Sequence, residues 1–479
     1  MCWSARELHS DRTQGNSLAR SPGAMKVLQV ITKGEVGGAQ SHVLTLCREL
    51  RDRQGIEVQV AIGGDDGLQT PLACALNAAG IRVHSIPLLG NTAGVAGLAQ
   101  AVRRLQAIVR EQSPDLVHAH SAMAGVAARL AGARTRKPVI YTVHGFAFKA
   151  GNPWKRRVAA FAVEWLLAPL TRRMVCVSEH ERRLARALPL SSGRVVVVHN
   201  GIEEVPASTH LATELAAAPP RIAMVARMTP PKRPDLLLQA LAHLRDELGC
   251  EVPATFFGGG PQLASHQAMA RQLGLQSVVF AGDVGDISAQ LMKHSIFVLT
   301  SDHEGLPISV IEAMRGGLAI VASDLPGMRE LLPDATQARL VPNDATALAL
   351  ALRQLVESPA LRTSLGRAAR QRYEQHYTAE RMGMEVMATY QSALSPLLQA
   401  IHEEHLSQPP RLFHSTPPKC RAGLGLERHL GAAIELRHRM GAGAIPVGNV
   451  PVPSDGLVVQ RALRHHLLLA LQRSVPAPV

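Results

Sequence analysis

Aromatic side chains are scarce in this 479-residue chain: eight Phe, four Tyr and three Trp amount to 3%. So thin a supply argues against recognition of single-stranded nucleic acid by stacking platforms. No zinc-finger, homeodomain or RRM signature stands in for it, so nucleic acid is not an expected partner. The six cysteines (Cys2, Cys47, Cys74, Cys176, Cys250 and Cys420) are scattered and form no CxxC pair. They read as reduced packing residues of a cytoplasmic protein rather than as a disulfide framework. Uninterrupted apolar runs of membrane-crossing length are also missing. The best candidate, VAAFAVEWLLAPLTRRM, is broken by Glu164 and Pro169. The first 24 residues lack the apolar segment of a secretory signal. The ordered pattern begins with MKVLQVI, so Met25 is the expected start.

What is present points to folded α/β structure. Hydrophobic residues make up 46%, and a net charge of +13 suits phosphorylated small molecules or an anionic membrane. From Met25 onward, short apolar runs such as KVLQVI, EVQVAIG, LVHAH and PVIYTV alternate with segments of helical spacing. That alternation predicts parallel sheets covered on both faces, and right-handed crossovers make each one a doubly wound, Rossmann-like domain. The signal breaks over EEVPASTHLATELAAAPP and then restarts at RIAMVAR. The expected organisation is an extension at 1–24, a first domain at 25–205, a linker at 206–220 and a second domain at 221–378. A crossover helix follows at 379–398, and a Pro- and basic-rich tail, expected to be largely disordered, at 399–479.

Ligands of such sheets bind at the carboxyl ends of the strands. The loop after the first strand, TKGEVGGAQ, offers Gly34, Gly37 and Gly38 ahead of a helix, where free N–H groups suit an anion. A turn that merely needs glycine explains it equally well. His144 follows YTV and is followed by Gly145; His118 and His120 end another strand. In RMTPPKRPD, Arg227 and Lys232 place two cations beside a helix start, as a diphosphate or a plain solvated loop would have it. Gly258, Gly259 and Gly260 follow ATFF, and Gly282-Asp283 ends VVFAGD, where its backbone could line a nucleobase. Finally SDHEGLPISVIEAMRGG sets Glu304 before a helix and Glu312 two turns inside it. Either acid alone could be an ordinary solvated position.

Taken together and in this order, the glycine-rich first loop, VHG, VSE, VVHNGI, ARMTPPKRPD, FFGGGP, VVFAGD and EGLPISVIEAMRGG resemble the GT-B retaining glycosyltransferases of family 4 over roughly residues 25–395. Among them, the chain's first segment most resembles exopolysaccharide, capsule and lipopolysaccharide enzymes. The resemblance implies a GT-B fold, two Rossmann-like domains facing across a cleft with a C-terminal crossover helix, and transfer of a sugar from a UDP- or GDP-sugar to a lipid-linked or polysaccharide-precursor acceptor. Arg227 and Lys232 would neutralise the departing diphosphate, Glu304 would contact sugar hydroxyls and Glu312 the ribose. The backbone of Gly305, Leu306 and Ile308 would approach the sugar and phosphate, Gly37 and Gly38 would close over the phosphate, and His144 would face the donor sugar. Gly259 and Asp283 complete the donor-binding set. The chain departs from the pattern in GGLAIVASDLPG, where many relatives carry proline before the last strand.

No DxD metal motif is evident, Asp65-Asp66 lying in a surface-like GGDDG turn. Catalysis is therefore expected to need neither metal nor cofactor, the nucleotide-sugar being a substrate. The segment 152–174 carries Lys155, Arg156, Arg157, Arg172 and Arg173 around an apolar stripe with Trp154 and Trp165. It reads first as a core helix with a solvated basic end, and it also suits peripheral contact with the cytoplasmic face of an anionic membrane. Two other readings share the architecture: a nucleotide-sugar 2-epimerase, and an inactive transferase-like subunit that binds a partner enzyme. A glycosidase, whose two carboxylates flank one bond, is disfavoured.

Overall fold

The computed structural model describes residues 25–64, 68–90, 94–149, 152–205 and 219–395. The extension at 1–24, most of the linker, the tail, the Asp65-Asp66 turn, Cys2 and Cys420 lie outside them. The first sheet holds β1 (Lys26–Ile31), β2 (Glu57–Gly63), β3 (Arg82–Ile86), β4 (Leu116–His120), β5 (Val139–Val143), β6 (Arg173–Cys176) and β7 (Val195–Val197). Their order is β3-β2-β1-β4-β5-β6-β7, with every pairing parallel. Helices α1 (Gly38–Asp52), α2 (Pro71–Ala78), α3 (Gly94–Gln112), α4 (Ala122–Thr135), α5 (Trp154–Leu167) and α6 (Glu179–Ala185) connect them. The central strands are buried along their length, which is why they read as unbroken apolar runs.

The second sheet holds β8 (Ile222–Val225), β9 (Ala254–Phe257), β10 (Val278–Gly282), β11 (Ile296–Leu299), β12 (Ala319–Ser323) and β13 (Arg339–Val341). Its order is β10-β9-β8-β11-β12-β13, again parallel throughout. Its helices are α7 (Pro234–Leu248), α8 (Leu263–Gln272), α9 (Ile287–Leu291), α10 (Ile308–Arg315), α11 (Pro326–Leu331), α12 (Ala345–Glu357) and α13 (Pro359–His376). Strand β13 and helices α11 to α13 are absent from the sequence reading. The strand is three half-buried residues, too short to carry a period, and α12 and α13 abut at Ser358 with no intervening loop to separate them.

The last helix, α14 (Ala379–Leu394), leaves the second sheet and packs on the first. Its Met382, Val386, Tyr390 and Ala393 share a core with Val27, Leu46 and Ile62. Arg172 and Arg173 hold its C-terminal end: Arg172 Nε donates to the Ala393 carbonyl (3.1 Å) and Arg173 Nε to Ser392 Oγ (3.1 Å). Both cations thus leave the membrane-facing set expected from sequence, because a helix C-terminus attracts them. The two sheets are also joined at Glu330 of α11, whose carboxylate accepts from the Glu179 N–H at the start of α6 (2.7 Å) and faces His199 Nε2 (2.8 Å). Of the four described cysteines, Cys47 and Cys176 are packed and Cys74 and Cys250 are exposed, so packing explains only two.

Helix α5 lies on the surface with one buried residue, Glu164. The carboxylate that interrupts its apolar run pairs with the fully buried Arg129 of α4 (2.8 Å) and accepts from Tyr141 Oη (3.3 Å). Arg129 also donates to the Gly125 carbonyl (2.9 Å) and stacks on the Tyr141 ring. Removing one partner of a buried pair strands the other charge. Glu164→Ala should therefore lower unfolding stability by about 3–5 kcal/mol in denaturant titration, and Arg129→Met combined with Glu164→Leu should recover most of it. A loss under about 1 kcal/mol, the size of a surface pair, would mean that Arg129 reaches water.

Candidate functional site

In each sheet the strand order reverses at one place, between β1 and β4 in the first and between β8 and β11 in the second. Ligands bind outside such switch points. The loops after β1, β5, β8 and β11 line one cleft of about 490 Å³. Gly37, Gly38 and His144 enter it from the first sheet. Arg227, Lys232, Asp283 and Glu304 enter from the second, followed by Gly305, Leu306, Ile308 and Glu312. Gly259 does not line it. Its N–H donates to Asp283 Oδ1 (2.8 Å), and Gly258 takes the lining position instead. Gly258 has φ +122°, and a Cβ there would stand 2.2 Å from the Ala226 carbonyl, so no other residue fits.

Two helices begin at this cleft without side-chain caps. Helix α1 starts behind Gly37 and α10 behind Pro307, and neither has an acid in its first turn. A Cβ on Gly38 would lie 4.0 Å from Ile308 Cδ1, so the two N-termini face each other closely. Both present unsatisfied N–H groups and the positive end of a helix dipole. Gly305 makes the approach of the sheets feasible, since a Cβ there would stand 2.4 Å from the His144 carbonyl oxygen.

The charged groups divide into paired and unpaired. Lys232 Nζ is hydrogen-bonded to Glu304 Oε1. Arg227 is exposed and, among the described residues, has no acidic partner. Glu312 has no ion pair there either; burial raises its pKa from 4.5 to about 7, with Arg315 pulling weakly the other way. It stands just over one turn into α10, not two, because Gly305–Pro307 of the eight-residue spacing is loop. Asn200, buried at the carboxyl end of the first sheet, also lines the cleft and donates to the Leu306 carbonyl (2.7 Å). It is the asparagine of VVHNGI, and its place just after an apolar strand is the one mark of it in the sequence.

Behind His144 lies a buried polar network. Gln29 Nε2 donates to Tyr390 Oη (2.9 Å), which bonds His118 Nδ1 (2.7 Å), and His118 Nε2 reaches Thr142 Oγ1 (2.7 Å). Gln29 Oε1 accepts from His120 Nε2 (2.8 Å), so the lone pair of neutral His120 is on Nδ1, which faces His144 Nε2 at 3.3 Å. Burial pushes the pKa of His144 well below 6.5, and neighbouring His42 and His118 push it further, so the imidazole is neutral. His118 and His120 are therefore supports behind the cleft, and His144 is the member that lines it.

With this geometry in view, two family models match the chain: Glycosyltransferase Family 4 over residues 36–204 and Glycosyl transferases group 1 over residues 210–372. EpsD of Bacillus subtilis (strain 168), which bears a glycosyltransferase name, is 28% identical over 69% of this chain and 88% of its own. The O-antigen biosynthesis glycosyltransferase WbnH of Escherichia coli is 26% identical over 63% of this chain and 82% of its own. Among solved structures, Anabaena HepE in complex with UDP and glucose superposes with a TM-score of 0.65 at 20% identity, covering 77% of this chain and all of that one. An amino-terminal family 4 domain and a carboxyl-terminal group 1 domain face each other across one cleft, and the chain belongs to the GT-B glycosyltransferases of family 4 and group 1.

Proposed function

We propose that the protein is a retaining glycosyltransferase that moves a sugar from a UDP-sugar to a lipid-linked saccharide or polysaccharide precursor, with no metal ion on the diphosphate. The observation that carries this reading is the pair of uncapped helix N-termini meeting beside Arg227 and Lys232. Departure of the nucleoside diphosphate develops negative charge, and preorganised N–H groups and cations stabilise it. Arg227, which has no acidic partner among the described residues, meets the phosphate directly. Lys232 shifts from Glu304 to a phosphate oxygen when the donor enters, which frees Glu304 to accept from sugar hydroxyls. Neutral His144 offers a hydrogen bond to the donor sugar and no acidic proton at pH 7. Glu312 accepts from the ribose, with the acceptor hydroxyl attacking on the face the diphosphate leaves. Support for a uridine donor comes from HepE, solved with UDP and with UDP-glucose. Support for a lipid-linked acceptor comes from an Escherichia coli relative named UDP-Gal:alpha-D-GlcNAc-diphosphoundecaprenol alpha-1,3-galactosyltransferase, 24% identical over 52% of this chain and 67% of its own.

Such an acceptor requires contact with a bilayer, and α5 fits that part. Trp154 and Leu166 are 67% exposed, and Val158, Val163, Trp165 and Leu170 join them on the surface beside Lys155 and Arg156. Among the described residues no helix is long and apolar enough to cross a membrane. The contact is then an interfacial one, apolar side chains entering the headgroup layer and cations meeting anionic lipid.

Three measurements test this reading. UDP should raise the melting temperature, by the equivalent of about 2.7 kcal/mol at a hundredfold excess over its dissociation constant. Arg227→Ala should weaken UDP about 10–100-fold, the loss of a charge-assisted hydrogen bond. A well-folded protein whose melting temperature no nucleotide moves would sink the donor assignment. Uridine affinity should rise as pH climbs through about 7, where Glu312 ionises and becomes the better acceptor; Glu312→Gln should flatten the profile, and an unchanged slope would remove Glu312 from the ribose site. In vesicle sedimentation, the protein should bind phosphatidylglycerol-containing vesicles and not pure phosphatidylcholine. Trp154→Glu with Leu166→Glu should lower that binding more than tenfold, since each buried apolar side chain contributes about 1.5–3 kcal/mol; equal sedimentation of the variant would relocate the contact.

A further inference from the structure

Three histidines from three different elements converge behind the cleft. His42 lies in α1, His120 ends β4 and His144 follows β5. Each offers one ring nitrogen, and those atoms all lie within 4.8 Å of one another. The ring centroids form a near-equilateral triangle, with 4.8 Å between His42 and His144, 5.3 Å between His42 and His120, and 5.5 Å between His120 and His144. A tetrahedral ion with metal–nitrogen bonds of about 2.0–2.1 Å places its imidazole nitrogens roughly 3.3 Å apart and their ring centroids roughly 5.2 Å apart. The 3.3 Å between His120 Nδ1 and His144 Nε2 matches the first spacing. The three centroid distances bracket the second.

The chemistry of the set agrees with its geometry. His42 is 2% exposed, and neither of its ring nitrogens closes a hydrogen bond. The Asn200 amide, whose Nδ2 is committed to the Leu306 carbonyl, is the polar group that faces His42, its influence raising the His42 pKa against burial without a well-formed hydrogen bond. Unpaired buried polar atoms are costly, and a bound ion is one of the few things that repay them. His120 has the outer contact characteristic of a metal-ligating histidine: its Nε2–H donates to Gln29 Oε1, which fixes Nδ1 as the free lone pair.

We infer that His42, His120 and His144 form a binding site for a single zinc-class divalent ion, distinct from any ion on the donor diphosphate. The ion takes Nδ1 of His120 and Nε2 of His144, the His144 proton moving to its own Nδ1, with one nitrogen of His42 as third ligand. A fourth position stays open to water. Because His144 lines the cleft, occupancy ties up the imidazole that the donor would meet. The site itself does not rest on the donor assignment.

The test uses the full chain, stripped with chelator, and the metal alone. Calorimetric titration with Zn2+ should give one site per chain. Bound Co2+ should give the intense visible absorption of tetrahedral nitrogen and oxygen coordination, without a thiolate charge-transfer band. His42→Ala should weaken Zn2+ at least tenfold. Gln29→Leu, which keeps all three ligands and removes the orienting contact, should weaken it about 10–100-fold. Absence of binding to the wild type would overturn the site. So would a thiolate band, which would point to exposed Cys74 or Cys250, or zinc affinity unchanged in His42→Ala. The wild-type Co2+ spectrum decides the matter even if a buried variant fails to fold.

Discussion

Two helices that start without side-chain caps at the same cleft set the terms for everything around them. A helix N-terminus with four unpartnered N–H groups is unfavourable unless water or a ligand satisfies them. Here the ends at Gly38 and Ile308 line the same cleft, and a Cβ added at Gly38 would reach contact distance of the Ile308 side chain. That approach requires glycine where the chain of one sheet passes the other, as at Gly305 against the His144 carbonyl. It also concentrates positive potential, to which Arg227 and Lys232 add. Glu304 offsets part of this through Lys232, so the cleft without ligand is not a bare field of cations. In the proposed function, the incoming diphosphate displaces this internal pairing rather than adding to it.

The first sheet depends on the last helix of the described chain. Helix α14 supplies Met382, Val386 and Tyr390 to the core around β1, and Arg172 and Arg173 hold its end. Tyr390 does more than pack. Its hydroxyl joins Gln29 and His118, and through Gln29 it fixes which nitrogen of His120 faces His144. The orientation of a side chain in the cleft is thereby linked to a helix about 250 residues later in sequence. Glu330 provides the complementary tie, from the second sheet to the N-terminus of α6 and His199 in the first.

Much of this was legible in the sequence because both sheets are parallel and buried on two faces. Their strands are continuous apolar runs, and the loops at their carboxyl ends could be named residue by residue. Eleven of the twelve proposed site residues line one cleft; Gly259 does not, because a run of three glycines gives no indication of which one faces inward. What sequence could not supply was pairing over long range. Glu164 looked like an interruption of an apolar stripe and is the partner of a buried arginine on another helix. Arg172 and Arg173 looked like a basic flank and hold a helix end more than 200 residues away. Nothing local marks His42 either, whose neighbours His120 and His144 come from strands far along the chain.

The eight-residue spacing of Glu304 and Glu312 acquires its meaning from those surroundings. A straight helix would place both acids on one face, about two turns apart, in similar environments. The Gly-Leu-Pro break prevents this, leaving Glu304 on a loop where Lys232 reaches it and Glu312 a little over one turn inside α10, with no ion-pair partner among the described residues. One carboxylate is therefore held by an ion pair with Lys232. The other is raised by burial, against a weaker pull from Arg315, to about pKa 7, where a small change in surroundings decides its charge. A proline that ends a turn and starts a helix is what separates the two, and with them the two ends of whatever ligand spans the cleft.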